Sequence, residues 1–413
     1  MTPARDQHDH TACVRWRAAW ILPIIEPAIR AGWLDVVDGR VVRVGHAGDE
    51  PCGVVIDDER DLGRVAVLPG LINAHTHLEL SFLHDRVPPA PSLPDWVRVL
   101  MCERAVASDD PVPPIREAVR QLEAFGTAAV GDIGNTRAAV TPLIESALYA
   151  VSFHELLGFS GGDARAVVAG TRATIQTIET RGRVREALAA HAPYSTSPEL
   201  FLAIVQVSRE QPNARVSVHL GESAEEVEFL YTSGGSWREL LEELGMWPEG
   251  WRAPGCRPVE LLDQLGWLAP TTLVAHGVQL DDEELHMLAN AGATLVTCPR
   301  SNQWVGVGPP PVDRFHASGV RVAVGTDSLA SAPDLNVFTE LAEIRRLAPA
   351  VPAAALLRWA TLNGAQALGF DELGAVQPGR VSRLLSVELP TAVDDVEECL
   401  VQGVSPDRLS WIA

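Results

Sequence analysis

Two histidines one residue apart, His75 and His77, stand directly behind an apolar run in "LPGLINAHTHLELS", residues 68–81. Neutral imidazole is a good ligand for a zinc-type ion, and alternation along a strand would turn both rings to one side. Read alone, the pair could just as well be solvated. His219 in "SVHLGES" and Asp327 in "VAVGTDS" also close apolar runs, and a carboxylate buried after such a run is costly unless paired or metal-bound. By itself Asp327 could instead be a helix N-cap. Taken jointly, three imidazoles and a carboxylate at four strand ends make a mononuclear metal site the better reading. Two further residues have acid–base character. Glu222 lies three residues past His219, where it can reach both a water and a substrate nitrogen, and His276 ends the run "LVAH". The bland readings are an acidic first helical turn for Glu222, as Glu225, Glu226 and Glu228 are expected to form, and a hydrogen-bonded core histidine for His276.

Other motifs carry less. "FHELLGF" begins like H-E-x-x-H but has Gly158 at the second ligand position, so it is no zincin helix, and His154 reads as structural. The H-x-E with P-C-x-x-C of cytidine-type deaminases is missing, since "TCPRSN" has a single cysteine before its proline. "GDIGNT" and "SGGD" are isolated glycine turns, and "VGVGPPP" is a stiff loop suited to shaping a rim.

Elements that could position these residues follow a regular order. The runs "VAVLPGLINAH", "TAAVGDIG", "ALYAVSFHEL", "EALAAHAPY", "RVSVHLGE", "TLVAHGVQL", "ATLVTCPRSN" and "VRVAVGTDS" read as eight buried strands, separated by helical patterns such as "PVPPIREAVRQLEAFG" and "DDEELHMLANAG". That alternation predicts an α/β fold, a (β/α)8 TIM barrel, whose site lies at the C-terminal strand ends where the polar outliers fall. Before it, "WLDVVDGRVVRVG" and "GVVIDDER" read as short strands with a turn at "DGR". The closing "GAVQPGRVSRLLSVELP" returns to that texture. We therefore expect a small β-sandwich-like domain from residues 1–67 and 374–413, and a metal-dependent barrel over 68–373. Residues 223–270 exceed one crossover and predict a lid or rim insertion.

Composition narrows the partners. Of 413 residues 46% are hydrophobic and 21% charged, the profile of a soluble globular protein, with local disorder expected only in "MTPARDQHDH". Lys and Arg total 33 against 54 Asp and Glu, a net charge of -21 that disfavours nucleic acid polymers and anionic membranes. A small anionic substrate is still compatible, because one arginine in a cleft acts at short range. Cys13, Cys52, Cys102, Cys256, Cys298 and Cys399 form no C-x-x-C pair and read as reduced thiols of a cytoplasmic protein. The apolar stretch "AAWILPIIEPAI" is too short and too broken to span a bilayer. A homodimer is left open.

In their order, "LPGLINAHTH", "HAPYSTSPELF", "SVHLGES", "LVAHGVQLDDEEL", "CPRSN", "GVRVAVGTDS" and "GAVQPGR" resemble the amidohydrolase superfamily, specifically its mononuclear deaminase and chlorohydrolase-like branch. The resemblance implies one divalent ion, zinc first and iron second, held by His75, His77, His219 and Asp327. It further implies that Glu222 passes a proton to the ring nitrogen beside the attacked carbon, that Asp327 and His276 take a water proton and orient the nucleophile, and that ammonia leaves. His191 stands where a binuclear member would carry a modified lysine, and it resembles a substrate-contacting histidine of adenosine-type members. Within the branch, "NAHTHLELS" and "CPRSN" look most like deaminases of 6-amino-6-deoxyfutalosine, of menaquinone biosynthesis, whose substrate is an adenine nucleoside with a benzoate-bearing tail. Arg104, Arg300 and Arg137 are candidates for that carboxylate, each otherwise a surface residue, and Glu79 for ribose hydroxyls, otherwise a rim salt bridge. The nearest alternatives are deamination of adenosine, 5′-methylthioadenosine or S-adenosylhomocysteine, with guanine deamination and hydrolytic dechlorination behind them. From another class, the chain could be a non-catalytic metabolite-binding barrel. "GRVSRLLSVELP" departs from the family's usual tail and puts the docking of the last strands in question.

Overall fold

Strands that are apolar along nearly their whole length need cover on both faces, and eight of them lie side by side in chain order as one parallel sheet. They are β1 (Leu71–Thr76), β2 (Thr127–Gly134), β3 (Tyr149–Leu156), β4 (Val184–Ala190), β5 (Val216–Leu220), β6 (Thr272–His276), β7 (Thr294–Thr297) and β8 (Arg321–Val324). An isolated parallel bridge between Thr76 and Asp327 brings the two edges together, so the sheet is a nearly closed (β/α)8 barrel, as expected. Its interior is filled by Ile72, Ala74, Ala129, Val151, Phe153, Ala189, Leu273, Val296 and Ala323, which makes it a packed core and not a channel. The computed structural model describes residues 12–106, 110–159, 163–175, 182–211, 213–247 and 250–412. The expected disorder of "MTPARDQHDH" and most of "SGGD" lie outside the described residues.

A second, mixed sheet joins the two ends of the chain. Its order is Leu409–Ile412, Leu384–Glu388, Val65–Pro69, Cys13–Ile21, Ile29–Val37, Arg40–His46, with Asp58–Asp61 paired to Cys13–Ile21. The run "VAVLPGLINAH", expected as one strand, is two: Val65–Pro69 belongs to this sheet and β1 to the barrel. Gly70 is the hinge between them. A Cβ there would lie 2.6 Å from that of Ala128 and 2.8 Å from the Trp411 ring, so only glycine lets barrel and small sheet meet this closely. The atypical tail docks normally: Leu384–Glu388 pairs antiparallel with Val65–Pro69, Leu384 opposite Pro69 and Glu388 opposite Val65. Buried Leu384, Leu385 and Val387 supply what that strand needs, whatever the polar residues beside them.

Two helices stand over the barrel mouth. α1 (Leu93–Val106) follows β1, and α2 (Gly235–Glu243) lies in the expected insertion of residues 223–270. The Arg98 guanidinium bridges to Glu243 at 2.9 Å between them. Among the described residues the six cysteines are all free, and no helix is long and apolar enough to cross a membrane.

Candidate active site

Each expected ligand sits at a strand's C-terminal end because the strand before it is buried on both faces and its polar residue can only emerge at the rim. His75 and His77 leave β1, His219 is the fourth residue of β5, and Asp327 follows β8. Their donor atoms converge. His77 Nε2 is 3.1 Å from His219 Nε2 and 3.5 Å from Asp327 Oδ1, and His75 Nε2 is 3.9 Å from the same oxygen. Ligands about 2.05 Å from a tetrahedral zinc ion would lie about 3.3 Å apart, and these separations bracket that value. His75 Nε2 is buried with no hydrogen-bond partner among the described residues, a cost that a cation would remove.

The electrostatics suit a cation as well. Burial, with the neighbouring imidazoles adding to it, pushes His75 well below its usual range and His219 down to about 3, so both rings are neutral and offer lone pairs. Burial also raises Asp327, but the facing His77 and His276 and the Ser301 hydroxyl outweigh it and hold the carboxyl below its ordinary value. The donor set therefore fits a divalent ion.

Neighbouring strands fix these groups in place. Thr326 and Asp327 N–H both donate to His75 O at 3.1 Å, and the Thr76 hydroxyl donates to Asp327 O at 2.6 Å, which pins β8 to β1. A Cβ at Gly325 would approach His75 Cβ to 2.8 Å, so the bare backbone there makes room for the ligand. Ser301 and Ser331 hydroxyls donate to Asp327 Oδ2 at 2.5 and 3.2 Å, and Oδ1 is left turned to the histidines. Asp327 and His276 hold φ of 58° and 74°, left-handed conformations that cost a residue with a Cβ and that cluster at functional sites.

The two residues of expected acid–base character lie beside the expected ligands. Glu222 Oε1 is 3.6 Å from His276 Nδ1, and both side chains are almost wholly buried. Burial, then the Asp327 and Glu226 carboxylates, push Glu222 well above the usual carboxylate range, while burial lowers His276 to about 4. These shifts favour the protonated form of Glu222 and the neutral form of His276. The Asn302 amide donates to His276 Nδ1 at 3.0 Å, leaving Nε2 for the cavity. Glu226 is no bystander of a solvated acidic turn: it is fully buried and its two oxygens accept from Gly221 and Glu222 N–H at 2.8 and 3.0 Å.

A cavity of about 590 Å³ opens from these groups. Its inner wall holds His77, His219, Glu222, His276 and Asp327, joined by Asn135, Glu155 and His191. The outer part is apolar, with Trp96, Leu100 and Met101 of α1 facing Trp237 and Leu240 of α2, and Arg104 at its border. Tyr194 stacks on Trp237 at 3.6 Å between centroids, which braces the α2 side.

The remaining sequence candidates separate sharply. His191 reaches the cavity, with Nδ1 on the Ser195 hydroxyl at 2.5 Å. Arg104 reaches it and has no ion-pair partner among the described residues. Arg300 does not reach it. Its guanidinium is 2.6 Å from Glu340 and 2.9 Å from Asp334, both outside the cavity, so the expectation of substrate contact is corrected: a buried carboxylate on the helix Val337–Leu347 captured it. Arg137 is likewise spent on Glu186. Glu79 borders the cavity and forms no salt bridge among the described residues; its carboxylate receives Asn135 N–H on Oε1 at 2.9 Å, and Thr136 N–H and the Thr136 hydroxyl on Oε2 at 2.9 and 2.7 Å. His154 is not among the residues that line the cavity. The sequence reading missed Glu155, Asn135, Asn302, Ser301 and Ser331. "CPRSN" drew notice as a motif, yet what its Ser301 and Asn302 hold became visible only across strands. The chain has no lysine at all, which removes any lysine-bridged pair of metals.

Known proteins share this fold. Residues 66–408 match the amidohydrolase family. A 5-methylthioadenosine/S-adenosylhomocysteine deaminase of Nitratidesulfovibrio vulgaris is 31% identical over 379 residues, 87% of this chain and 80% of the relative. The enzyme of that name from Pyrococcus furiosus is 32% identical over 378 residues, 86% and 81% of the two chains. Among solved structures, Helicobacter pylori aminofutalosine deaminase superposes with a TM-score of 0.84 at 24% identity, covering 94% of this chain and 95% of that one. An adenosine deaminase from Xanthomonas campestris with bound zinc does so with a TM-score of 0.81 at 24% identity, covering 96% and 90%. By its matched length, its barrel and its relatives, the chain belongs to the amidohydrolase family, hydrolases that act on C–N bonds.

Proposed function

We propose that the protein is a metal-dependent aminohydrolase that converts the 6-amino group of an adenine nucleoside to a carbonyl and releases ammonia. His75, His77, His219 and Asp327 would hold the ion, zinc being the first choice for three imidazoles and a carboxylate. When bound, such an ion supplies Lewis acidity that brings the pKa of a water toward neutrality.

The residues supply the rest. Glu222, whose protonated form burial favours, donates to the ring nitrogen next to the attacked carbon and makes that carbon electrophilic. Asp327 Oδ1 accepts a proton from the attacking water, while Oδ2 is occupied by Ser301 and Ser331. His276, with Nδ1 held by Asn302, orients the water through Nε2. From the tetrahedral adduct, the proton on Asp327 passes to the amino group, ammonia leaves, and the hydroxyl proton restores Glu222. One water is consumed, and both carboxyl groups return to their starting state.

The preferred substrate is 6-amino-6-deoxyfutalosine. The observation that carries this choice is the outer cavity, where apolar side chains of α1 and α2 lead to Arg104, a cation without a partner among the described residues. An aromatic tail ending in a carboxylate matches both parts. The second reading, 5′-methylthioadenosine or S-adenosylhomocysteine, is favoured by the names of the relatives near 30% identity. Methylthioadenosine would leave Arg104 unpaired; S-adenosylhomocysteine would offer Arg104 a carboxylate but bring its ammonium against apolar side chains. Steady-state rates on these nucleosides and adenosine decide between them. The highest kcat/KM is expected on the benzoate-tailed nucleoside, and a higher value on methylthioadenosine would reverse the order.

A further inference from the structure

The end of β3 carries a buried carboxylate that neither the ligand group nor the acid–base pair uses. Glu155 has a side chain only 5% exposed and lies on the cavity wall beside Asn135 and His191. Its Oε2 accepts from Asn135 Nδ2 at 3.1 Å, and the same nitrogen is 3.1 Å from the Glu155 carbonyl oxygen. Asn135 is itself held, since its N–H donates to Glu79 at 2.9 Å. The carboxylate is thus clamped in one orientation, and in that orientation Oε1 is buried with no hydrogen-bond partner among the described residues.

Nothing among the described residues completes that oxygen. His219 Nδ1 is 3.4 Å away, but it already pairs with His191 O at 3.0 Å and can offer only a long second arm. A buried, charged oxygen without a donor is costly, and a ligand that brings an O–H to it recovers that cost. On its other side His191 has Nδ1 engaged by Ser195, so Nε2 is its remaining polar atom. The combination is a rigid acceptor and an imidazole on one wall, next to where the ring must sit for Glu222 to reach it.

We propose that Glu155, oriented by Asn135 and flanked by His191, accepts hydrogen bonds from the sugar hydroxyls of the nucleoside and so selects ribonucleosides over deoxyribonucleosides. This rests on the nucleoside reading above. Glu79 then acts at one remove from the sugar, by holding the turn that aims Glu155.

The test compares kcat/KM of the zinc-loaded enzyme on adenosine, 2′-deoxyadenosine and 3′-deoxyadenosine for the wild type, E155Q and E155M. A hydroxyl bonded to a charged acceptor is worth about 10- to 100-fold, so the wild type should prefer adenosine over at least one deoxynucleoside by that factor. E155M should shrink the preference to within about 3-fold, with E155Q between, since its amide oxygen still accepts. Each ratio is taken within one preparation, so it does not depend on the folded fraction. An unchanged ratio in E155M, with all three substrates slowed alike, would overturn the proposal and leave Glu155 as a support for His219. Turnover of all three by the wild type without preference would also overturn it, while leaving the deaminase reading intact. No turnover of any adenine nucleoside, tailed ones included, would remove both.

Discussion

At the residue scale, the proposed mechanism gives two carboxyl groups of one site opposite roles. Burial and like charge raise Glu222, whereas facing imidazoles and Ser301 lower Asp327, directions that suit a proton donor and an acceptor. Glu222→Gln is expected to retain one metal ion per chain, measured by elemental analysis, and to lose about 10²- to 10⁴-fold in kcat. Retained turnover in that variant would refute the role given to Glu222. The sign of the pH dependence follows: a raised carboxyl is protonated below its own pKa, so kcat should fall as pH rises through it, an alkaline limb read in a pH profile. A limb that rises there would exclude Glu222 as the acid. Most of this cluster was legible in the sequence, because His75, His77, His219, His276 and Asp327 each end an apolar run, and jointly they point to one site although each alone has a bland reading. Ser301, Asn302, Asn135 and Glu155 were not, since each acts on a partner from another strand and leaves no periodic trace.

At the element scale, the eight strands and their order could be read from the alternation of buried runs and helical patterns, and so could the insertion between β5 and β6. The division of "VAVLPGLINAH" at Gly70 could not, because it depends on Ala128 and Trp411, 58 and 341 residues away. Gly70→Val should lower the melting temperature through overpacking, with a cost of about 1–3 kcal/mol, and calorimetry of the loaded enzyme would read it. An unchanged melting temperature would mean that the two sheets can part there without loss. For the helices over the mouth, Arg104→Ala should raise KM about 10- to 100-fold for a carboxylate-tailed nucleoside while leaving methylthioadenosine within about 2-fold. Equal effects on both would place the tail elsewhere. Arg300 illustrates why such cations resist reading from sequence: Glu340, 40 residues on, claims it.

At the scale of the whole molecule, charge shapes stability. The net charge is -21, and burial pushes Glu226, Glu340 and Asp132 up to about 7 even though Arg300 faces Glu340 and backbone N–H groups face the other two. A carboxyl raised on folding favours the native state most below its unfolded pKa, and that contribution is lost as pH climbs to the folded value. The melting temperature should therefore rise as pH is lowered from about 8 to about 6, in line with relief of self-repulsion over the same range. A melting temperature that falls over that interval would contradict these assignments. The central claim, that this barrel uses a bound metal ion and its own acid–base pair to deaminate an adenine nucleoside, is met most directly by one comparison. The enzyme is stripped by a chelator, then reloaded with zinc, and both forms are incubated with the tailed and untailed adenine nucleosides while ammonia and the purine absorbance are followed. Only the reloaded enzyme is expected to yield ammonia and the 6-oxo nucleoside, in equal amounts. Equal turnover by the stripped form, or no ammonia from any of these nucleosides after reloading, would contradict the claim.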